Sequence, residues 1–259
     1  MTAEIHHGDC IEVMRTMPGG SVDAIVTSPP YAEQRKSTYG GIPEADYPAW
    51  TVAWMAEAWR VLKPNGSVII NIRPHIRNGQ VSDYVLHTRL AIRAAGWNEC
   101  EELIWKKGGP PMGSTHRPRR SYESLLWYAK HGRPYADPKA AGPSSTRIGL
   151  EYGRLGPHRH SGQRPPSTGT ARVSDVVEVN TVRNKKSDGL NDHPAPFPVE
   201  LAEWMGKLIC PPNGTILDPF SGSGSTGVAS VRNGWKFVGI DAVEKYVEMS
   251  RERLKEEAA

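Results

Sequence analysis

One segment limits the fold more than any other. Gly214-Thr215-Ile216-Leu217-Asp218 reads as a short apolar strand, and Pro219-Phe220-Ser221-Gly222-Ser223-Gly224-Ser225-Thr226-Gly227 as a glycine-rich turn opening a helix that runs to about Asn233. Glycines let backbone N–H groups approach an anion closely, and the positive end of the helix dipole favours a carboxylate or phosphate there. Trp235-Lys236-Phe237-Val238-Gly239-Ile240-Asp241 follows as a second strand ending in an acid. A strand, turn, helix and strand in this order belong to a parallel sheet, and a carboxylate at the second strand's end can hold the two hydroxyls of a ribose. Asp241 can equally cap a helix over Val243–Leu254, a role that does not exclude the first. No Gly-Lys-Ser/Thr follows the glycines, which argues against a nucleoside triphosphate loop.

Asp218 narrows the choice of cofactor. In a nicotinamide-binding turn an acid just before the glycines would repel the pyrophosphate. S-adenosylmethionine carries an ammonium and a carboxylate at one end, and an acid beside glycine N–H groups matches that zwitterion better.

A second junction carries different chemistry. Val22–Thr27 is short, rich in apolar residues and closed by Ser28-Pro29-Pro30-Tyr31, so it reads as a buried strand ending in a rigid loop. The prolines supply no N–H and cannot continue a ladder. The Ser28 hydroxyl and the Pro29 carbonyl can then accept the two hydrogens of an exocyclic base amine and favour a more nucleophilic nitrogen, while Tyr31 stacks on the base. Taken alone, the same residues also fit an ordinary proline-stiffened loop.

With both junctions in place the chain resembles an amino-methylating DNA methyltransferase of the β arrangement, in which the catalytic motif precedes the cofactor motif, a circular permutation of the motif order. The similar residues, spread over nearly the whole chain, are His7-Gly8-Asp9-Cys10, Thr27 to Tyr31, Val61-Leu62-Lys63-Pro64-Asn65-Gly66-Ser67, Arg120-Ser121-Tyr122-Glu123, His193-Pro194-Ala195-Pro196-Phe197-Pro198 and Asp218 to Thr226. The resemblance implies that Asp9 and Cys10 contact the cofactor adenine, that Phe197 lies by the methionine part, and that Asp241 holds the ribose. It further implies that Asp218, Ser223, Gly224 and Ser225 hold the methionine end, with Phe220 and Gly222 in the same turn. Ser225 departs from the Thr more usual in the family but keeps the hydroxyl. Ser at the head of the tetrapeptide resembles the cytosine-N4 branch more than the adenine-N6 branch, although Ser can serve either amine.

Elsewhere, Tyr47, Trp50, Trp54, Met55, Ala58, Val61 and Leu62 recur at helical spacing before Lys63-Pro64-Asn65-Gly66 ends the helix, and Val68–Ile72 reads as a buried strand. Trp50, Trp54 and Trp59 are expected to pack on that helix. Further elements are a helix near Ser82–Ala95, strands at Glu101–Trp105 and Ser124–Ala129, and a helix over Val199–Ile209. The alternation predicts an α/β, doubly wound, mostly parallel sheet with helices on both faces. The resemblance implies seven strands, one of them antiparallel, in a Rossmann-like methyltransferase fold.

The net charge of +4 conceals a segregation. From Lys106 to Arg172 there are thirteen Lys or Arg against three Asp or Glu, and each flank is negative by three. Tyr122, Trp127, Tyr128, Tyr135 and Tyr152 are interleaved there, which favours phosphate binding to double-stranded DNA over a merely solvated face. Residues 134–172 lack periodicity and read as a basic, loop-rich insertion for target recognition, with Arg147, Arg154, Arg159 and Arg164 available for guanine edges or phosphates; residues 1–133 and 173–259 form the catalytic domain.

No apolar run approaches the ~20 residues of a membrane helix, and the N-terminus has no apolar signal core, so a cytoplasmic enzyme is expected. Cys10, Cys100 and Cys210 read as thiols, and His158 and His160 as surface residues; no metal is called for. Two other readings stay open: a nicotinamide oxidoreductase built on Gly222-x-Gly224-x-x-Gly227, and a non-catalytic DNA-binding protein. A homodimer and a cognate restriction endonuclease are partners that the sequence leaves undecided.

Overall fold

The computed structural model describes residues 2–34, 41–108, 116–142, 171–180 and 197–258. Among these residues there are ten strands: β1 (Ala3–His7), β2 (Val22–Thr27), β3 (Leu62–Ile72), β4 (Ile76–Arg77), β5 (Gln80–Val81), β6 (Asn98–Lys107), β7 (Tyr122–Ala129), β8 (Val176–Val179), β9 (Thr215–Asp218) and β10 (Lys236–Asp241). The helices are α1 (Cys10–Thr16), α2 (Tyr47–Val61), α3 (Tyr84–Ala94), α4 (Val199–Ile209), α5 (Ser225–Asn233) and α6 (Glu244–Ala258). Eight strands form one sheet in the order β1-β10-β9-β2-β3-β7-β6-β8, and β4 and β5 make a separate hairpin. All neighbours in the large sheet run parallel except β7, which is antiparallel to both β3 and β6.

The expected seven strands with one antiparallel are thus extended by an eighth. Val176–Val179 lies parallel to β6, Ile104 opposite Val176, and caps an edge that would otherwise be open.

Alternation along the strands builds two cores. Ile25, Val68 and Ile70 face α1, α2 and α3 with Met14, Trp54, Met55 and Tyr84, while Val26, Ile69 and Phe237 face the other layer with Leu201, Met205 and Leu254. A period-2 pattern buried on both faces is what a parallel sheet covered by helices requires. Trp54 is fully buried, and the rings of Trp50 and Trp54 both pack against Phe220, so these tryptophans serve the core as expected.

Lys63-Pro64-Asn65-Gly66 does not separate helix from strand. The strand begins at Leu62, directly after α2, and pairing jumps from Val22↔Leu62 to Ala24↔Ser67, so these residues form an irregularity inside β3. Lys63 secures it with a 2.8 Å ion pair to Asp23.

β9 proceeds through α5 to β10 on one side, and β2 proceeds through α2 to β3 on the other. The winding therefore reverses between β9 and β2. In open parallel sheets the crevice for a ligand lies at the carboxyl ends of the strands flanking such a reversal. Both sequence junctions, the glycine turn after β9 and Ser28–Tyr31 after β2, end there.

Candidate active site

Asp218, the last residue of β9, is fully buried. Its Oδ1 accepts from the Thr27 hydroxyl at 2.7 Å and the Phe220 N–H at 3.1 Å, and its Oδ2 accepts from the Thr226 hydroxyl at 2.6 Å. Burial pushes its pKa up to about 6 against the pull of those three donors. One carboxylate thereby ties together the end of β2, the glycine turn and the first turn of α5.

The turn itself depends on two glycines in left-handed backbone, Gly222 at φ 52° and Gly224 at φ 80°. A Cβ on Gly224 would come within 2.3 Å of the Ser250 hydroxyl on α6, so the turn is also pressed against a neighbouring helix. The Ser221 Oγ is buried there without a hydrogen-bond partner among the described residues.

Asp241 closes β10 nearby and is 3 % exposed. Its Oδ2 accepts from Gly222 N at 2.8 Å and its Oδ1 from Val243 N at 2.9 Å. Burial raises its pKa, opposed by those two N–H groups and by His7. Asp241 therefore does hold the chain ahead of α6, as the capping reading expected. Each oxygen keeps a second lone pair for another donor. β1 pairs with β10 up to His7↔Asp241, and Gly8 N donates to the Asp241 carbonyl at 3.0 Å, which sets Asp9 and Cys10 beside that acid. Asp9 caps α1, accepting from Ile11 N and Glu12 N, while Cys10 is buried and its thiol pKa is pushed up to about 12 by desolvation and the Asp9 charge.

On the β2 side, Pro29 is buried and Ser28, Pro30 and Tyr31 are partly so. The Tyr31 hydroxyl donates to Glu123 Oε2 at 2.8 Å and receives from Asn71 Nδ2 at 3.3 Å; the same amide group approaches Ser28 Oγ at 3.5 Å. Burial and the Glu123 charge hold the Tyr31 pKa well above the ordinary tyrosine range, so the hydroxyl stays a neutral donor. Asn71 is 2 % exposed and its Oδ1 has no partner among the described residues. Beyond Tyr31, Glu33 pairs with Arg77 at 2.9 Å, and Glu44 holds the Ser82 hydroxyl and His75.

A sequence model described as DNA methylase matches residues 22–252, spanning both junctions and everything between them. The chain belongs to the DNA methylase family.

Among curated relatives, the Type II methyltransferase M.ScaI of Streptomyces caespitosus is 29% identical over 268 residues, covering 98% of this chain and 82% of that protein. The Type II methyltransferase M.PvuII of Proteus hauseri is 25% identical over 277 residues, covering 95% and 82%. Among solved structures, the cytosine-N4-specific PvuII DNA methyltransferase superposes with a TM-score of 0.75 at 20% identity, over 100% of this chain and 92% of that one. The M1.HpyAVI–SAM complex gives 0.64 at 20% identity, over 98% and 99%. The expected fold and the expected cofactor, S-adenosylmethionine, agree with the family assignment.

In this DNA methylase the sequence-identified residues divide into groups. Asp9, Cys10, Phe220, Gly222, Ser223, Gly224, Ser225 and Asp241 gather at the carboxyl ends of β1, β9 and β10. Ser28, Pro29, Pro30 and Tyr31 adjoin them across the Thr27–Asp218 bond. Phe197 packs with the opposite layer, beside the cluster containing Leu201 and Met205. Asp218 has no exposed surface, and its carboxylate takes three protein donors, two on Oδ1 and one on Oδ2. Arg147, Arg154, Arg159 and Arg164 lie outside the described residues, as do His193 to Pro196. The start of the 134–172 stretch is not loose: Tyr135 N donates to the Asn65 carbonyl, Asp137 N to the Leu208 carbonyl, and Ala141 packs on the core.

Asn71, Arg73 and Lys107 join the site without having been singled out, and Thr27, read only as the first residue of its motif, proves to be the tie to Asp218. Of the three, Asn71 alone carried a signal, a polar residue near the end of the buried run Val68-Ile69-Ile70. No helix among the described residues is long and apolar enough to cross a membrane.

Proposed function

We propose that this DNA methylase transfers a methyl group to the N4 amine of a cytosine flipped out of a specific sequence in double-stranded DNA. The observation that carries the reading is the Thr27–Asp218 hydrogen bond at 2.7 Å, which fastens the amine-binding tetrapeptide to the cofactor turn at the reversal of the sheet. Each side of that bond holds a buried polar atom without a protein partner among the described residues, Ser221 Oγ at the turn and Asn71 Oδ1 beside the tetrapeptide. Buried polar atoms are normally satisfied, so these two fit a ligand on each side.

S-adenosylmethionine supplies an electrophilic methyl group on a sulfonium. Asp241 keeps lone pairs for ribose hydroxyls, and the N–H groups of Ser223 and Ser225 would take the carboxylate of the methionine end, while the Gly224 N–H closes the turn on the Ser221 carbonyl at 2.9 Å. Asp218 shapes the turn from beneath. The Ser28 hydroxyl and the Pro29 carbonyl accept the amine hydrogens, and Tyr31 stacks on the base, so the nitrogen lone pair is directed at the methyl group and positioning does most of the work. Arg73, Lys106 and Arg120 come to the same edge of the sheet from the ends of β3, β6 and β7, which suits phosphates on either side of a flipped nucleotide.

Two features favour cytosine N4 over adenine N6: Ser rather than an acid or amide heads the tetrapeptide, and the PvuII enzyme, similar over the whole chain, is cytosine-N4-specific. Adenine N6 is the alternative, since both amines need the same acceptors. The test is to methylate unmodified DNA with the purified enzyme and labelled cofactor, digest it to nucleosides and identify the labelled product. N4-methyldeoxycytidine is expected. N6-methyldeoxyadenosine would overturn the choice of base, and no label in DNA would overturn the activity.

A further inference from the structure

Glu123 is a carboxylate in an expensive place. It is 5 % exposed, the second residue of β7, opposite Trp105 on β6. Because β7 runs antiparallel to its neighbours, its beginning lies at the edge where β2 and β3 end. Reversing one strand is what brings residue 123 to the tetrapeptide, 92 residues away in sequence.

The two oxygens of Glu123 face different tasks. Oε1 takes the Lys107 ammonium in direct contact and the Arg73 guanidinium at 3.5 Å, and Oε2 accepts the Tyr31 hydroxyl at 2.8 Å. Lys107 is itself 13 % exposed at the side chain and lies 4.6 Å from the Trp105 ring centroid, so the charged pair is walled in by the sheet. Burying a carboxylate costs more than an apolar side chain of similar size would, unless its geometry serves a purpose. A stacking ring needs a fixed plane, and a tyrosine ring is fixed when its hydroxyl is tethered as well as its backbone.

We propose that Glu123 is a positioning residue for methyl transfer: held by Lys107 and Arg73, it fixes the Tyr31 ring against the flipped base through the Tyr31 hydroxyl. The inference rests on the reading of Ser28–Tyr31 as the amine pocket and adds how that pocket is kept in shape. Glu123 touches no substrate. Asn71 strengthens the tether by donating to the Tyr31 hydroxyl while reaching Ser28, so both functional side chains of the tetrapeptide share one buried donor.

A double-mutant cycle tests it, using Tyr31→Phe, Glu123→Ala and their combination in single-turnover transfer of labelled methyl from S-adenosylmethionine to unmethylated DNA. Each single change should slow transfer about tenfold or more, the scale of a hydrogen bond to a charged group, with cofactor affinity unchanged. In the Tyr31→Phe background, Glu123→Ala should change the rate less than about twofold, because the hydroxyl through which it acts is gone. Should Glu123→Ala not fold, Glu123→Gln takes its place: it keeps an acceptor for Tyr31, so its smaller loss, about threefold, should likewise vanish beside Tyr31→Phe. Equal effects of the Glu123 change in both backgrounds, or no effect in either, would overturn the proposal and leave Glu123 as a structural partner of Lys107. A wild-type enzyme that transfers nothing to DNA would overturn the functional reading and this inference with it. The two failures are therefore distinct.

Discussion

The Thr27 hydroxyl donates to the Asp218 carboxylate over 2.7 Å, joining residues 191 apart in sequence. Thr27 closes the strand before the amine pocket and Asp218 closes the strand before the cofactor turn. Their bond crosses the place in the sheet where the winding reverses, so under the proposed function it would set the distance between methyl donor and acceptor. Donor and acceptor must meet within a fraction of an ångström for in-line transfer.

Asp218 should make stability depend on pH. Its pKa stands at about 6 in the folded chain against an ordinary 3.8. Between those values the folded state binds more protons than the unfolded one, so stability falls as pH rises from about 4 to about 6 and is level above. The cost is at most about 3 kcal/mol. Asp218→Asn cannot titrate, and urea unfolding from pH 4 to 7 should show a shallower fall than wild type. Matching slopes would mean that Asp218 ionises as an ordinary carboxylate.

Removing the bond between the motifs should be felt in both stability and cofactor binding. Thr27→Val keeps the shape and leaves Asp218 with one hydroxyl and one N–H donor, a loss of about 1.5–3 kcal/mol for a buried bond to a charged acceptor. Thr226→Val should cost a similar amount, and the double variant should fall short of the sum because both act on one carboxylate. Denaturant unfolding and cofactor titration measure this. Additive losses would show that the two threonines act independently.

The strand and helix boundaries nearest the junctions were legible because they are chemical. Val22–Thr27 begins after polar Gly20-Ser21 and is stopped by Pro29-Pro30, and Val199–Ile209 follows a proline and carries an apolar face. Lys63-Pro64-Asn65-Gly66 misled because Pro and Gly punctuate locally, whereas pairing on both sides, Val22 with Leu62 and Ala24 with Ser67, absorbs them into β3. Asn98-Glu99-Cys100 gave no strand signal, being polar; Arg89 holds Glu99 at 2.6 Å, an ion pair that periodicity cannot reveal. The site divides in the same way. The glycine turn and tetrapeptide are contiguous and readable, but Thr27–Asp218 and Tyr31–Glu123 are made by strand order, and strand order is a long-range property.

Gly224 should tolerate no side chain. Its φ of 80° costs an L-residue about 1–2 kcal/mol, and a Cβ would sit 2.3 Å from the Ser250 hydroxyl. Gly224→Ala is expected to lower the melting temperature and weaken S-adenosylmethionine binding about tenfold or more, the turn being displaced where the cofactor carboxylate lies. Adding Ser250→Gly should restore part of the stability by relieving the crowding, but not the backbone strain. Full restoration would mean that crowding alone, not conformation, selects glycine here.

The last expectation separates DNA reading from catalysis and rests on the charge segregation in the sequence. If the basic stretch binds phosphates, replacing Arg154, Arg159 and Arg164 together by Ala should weaken DNA binding and flatten its salt dependence, by about 0.9 in log–log slope for each phosphate no longer neutralised. Cofactor affinity should not change, because every residue assigned to the cofactor lies at the ends of β1, β9 and β10 or beside α4. Should one arginine read a guanine edge instead, specificity at one base pair would relax by about 1–3 kcal/mol while the slope changed less. The measurement is the salt slope for wild type and triple variant on a methylatable duplex and a random one. A fall shared by both duplexes assigns the arginines to phosphates, and a fall confined to the methylatable duplex assigns at least one to a base. Identical slopes and affinities would mean that these three arginines do not carry the DNA and would leave the phosphates to the edge bearing Arg73, Lys106 and Arg120.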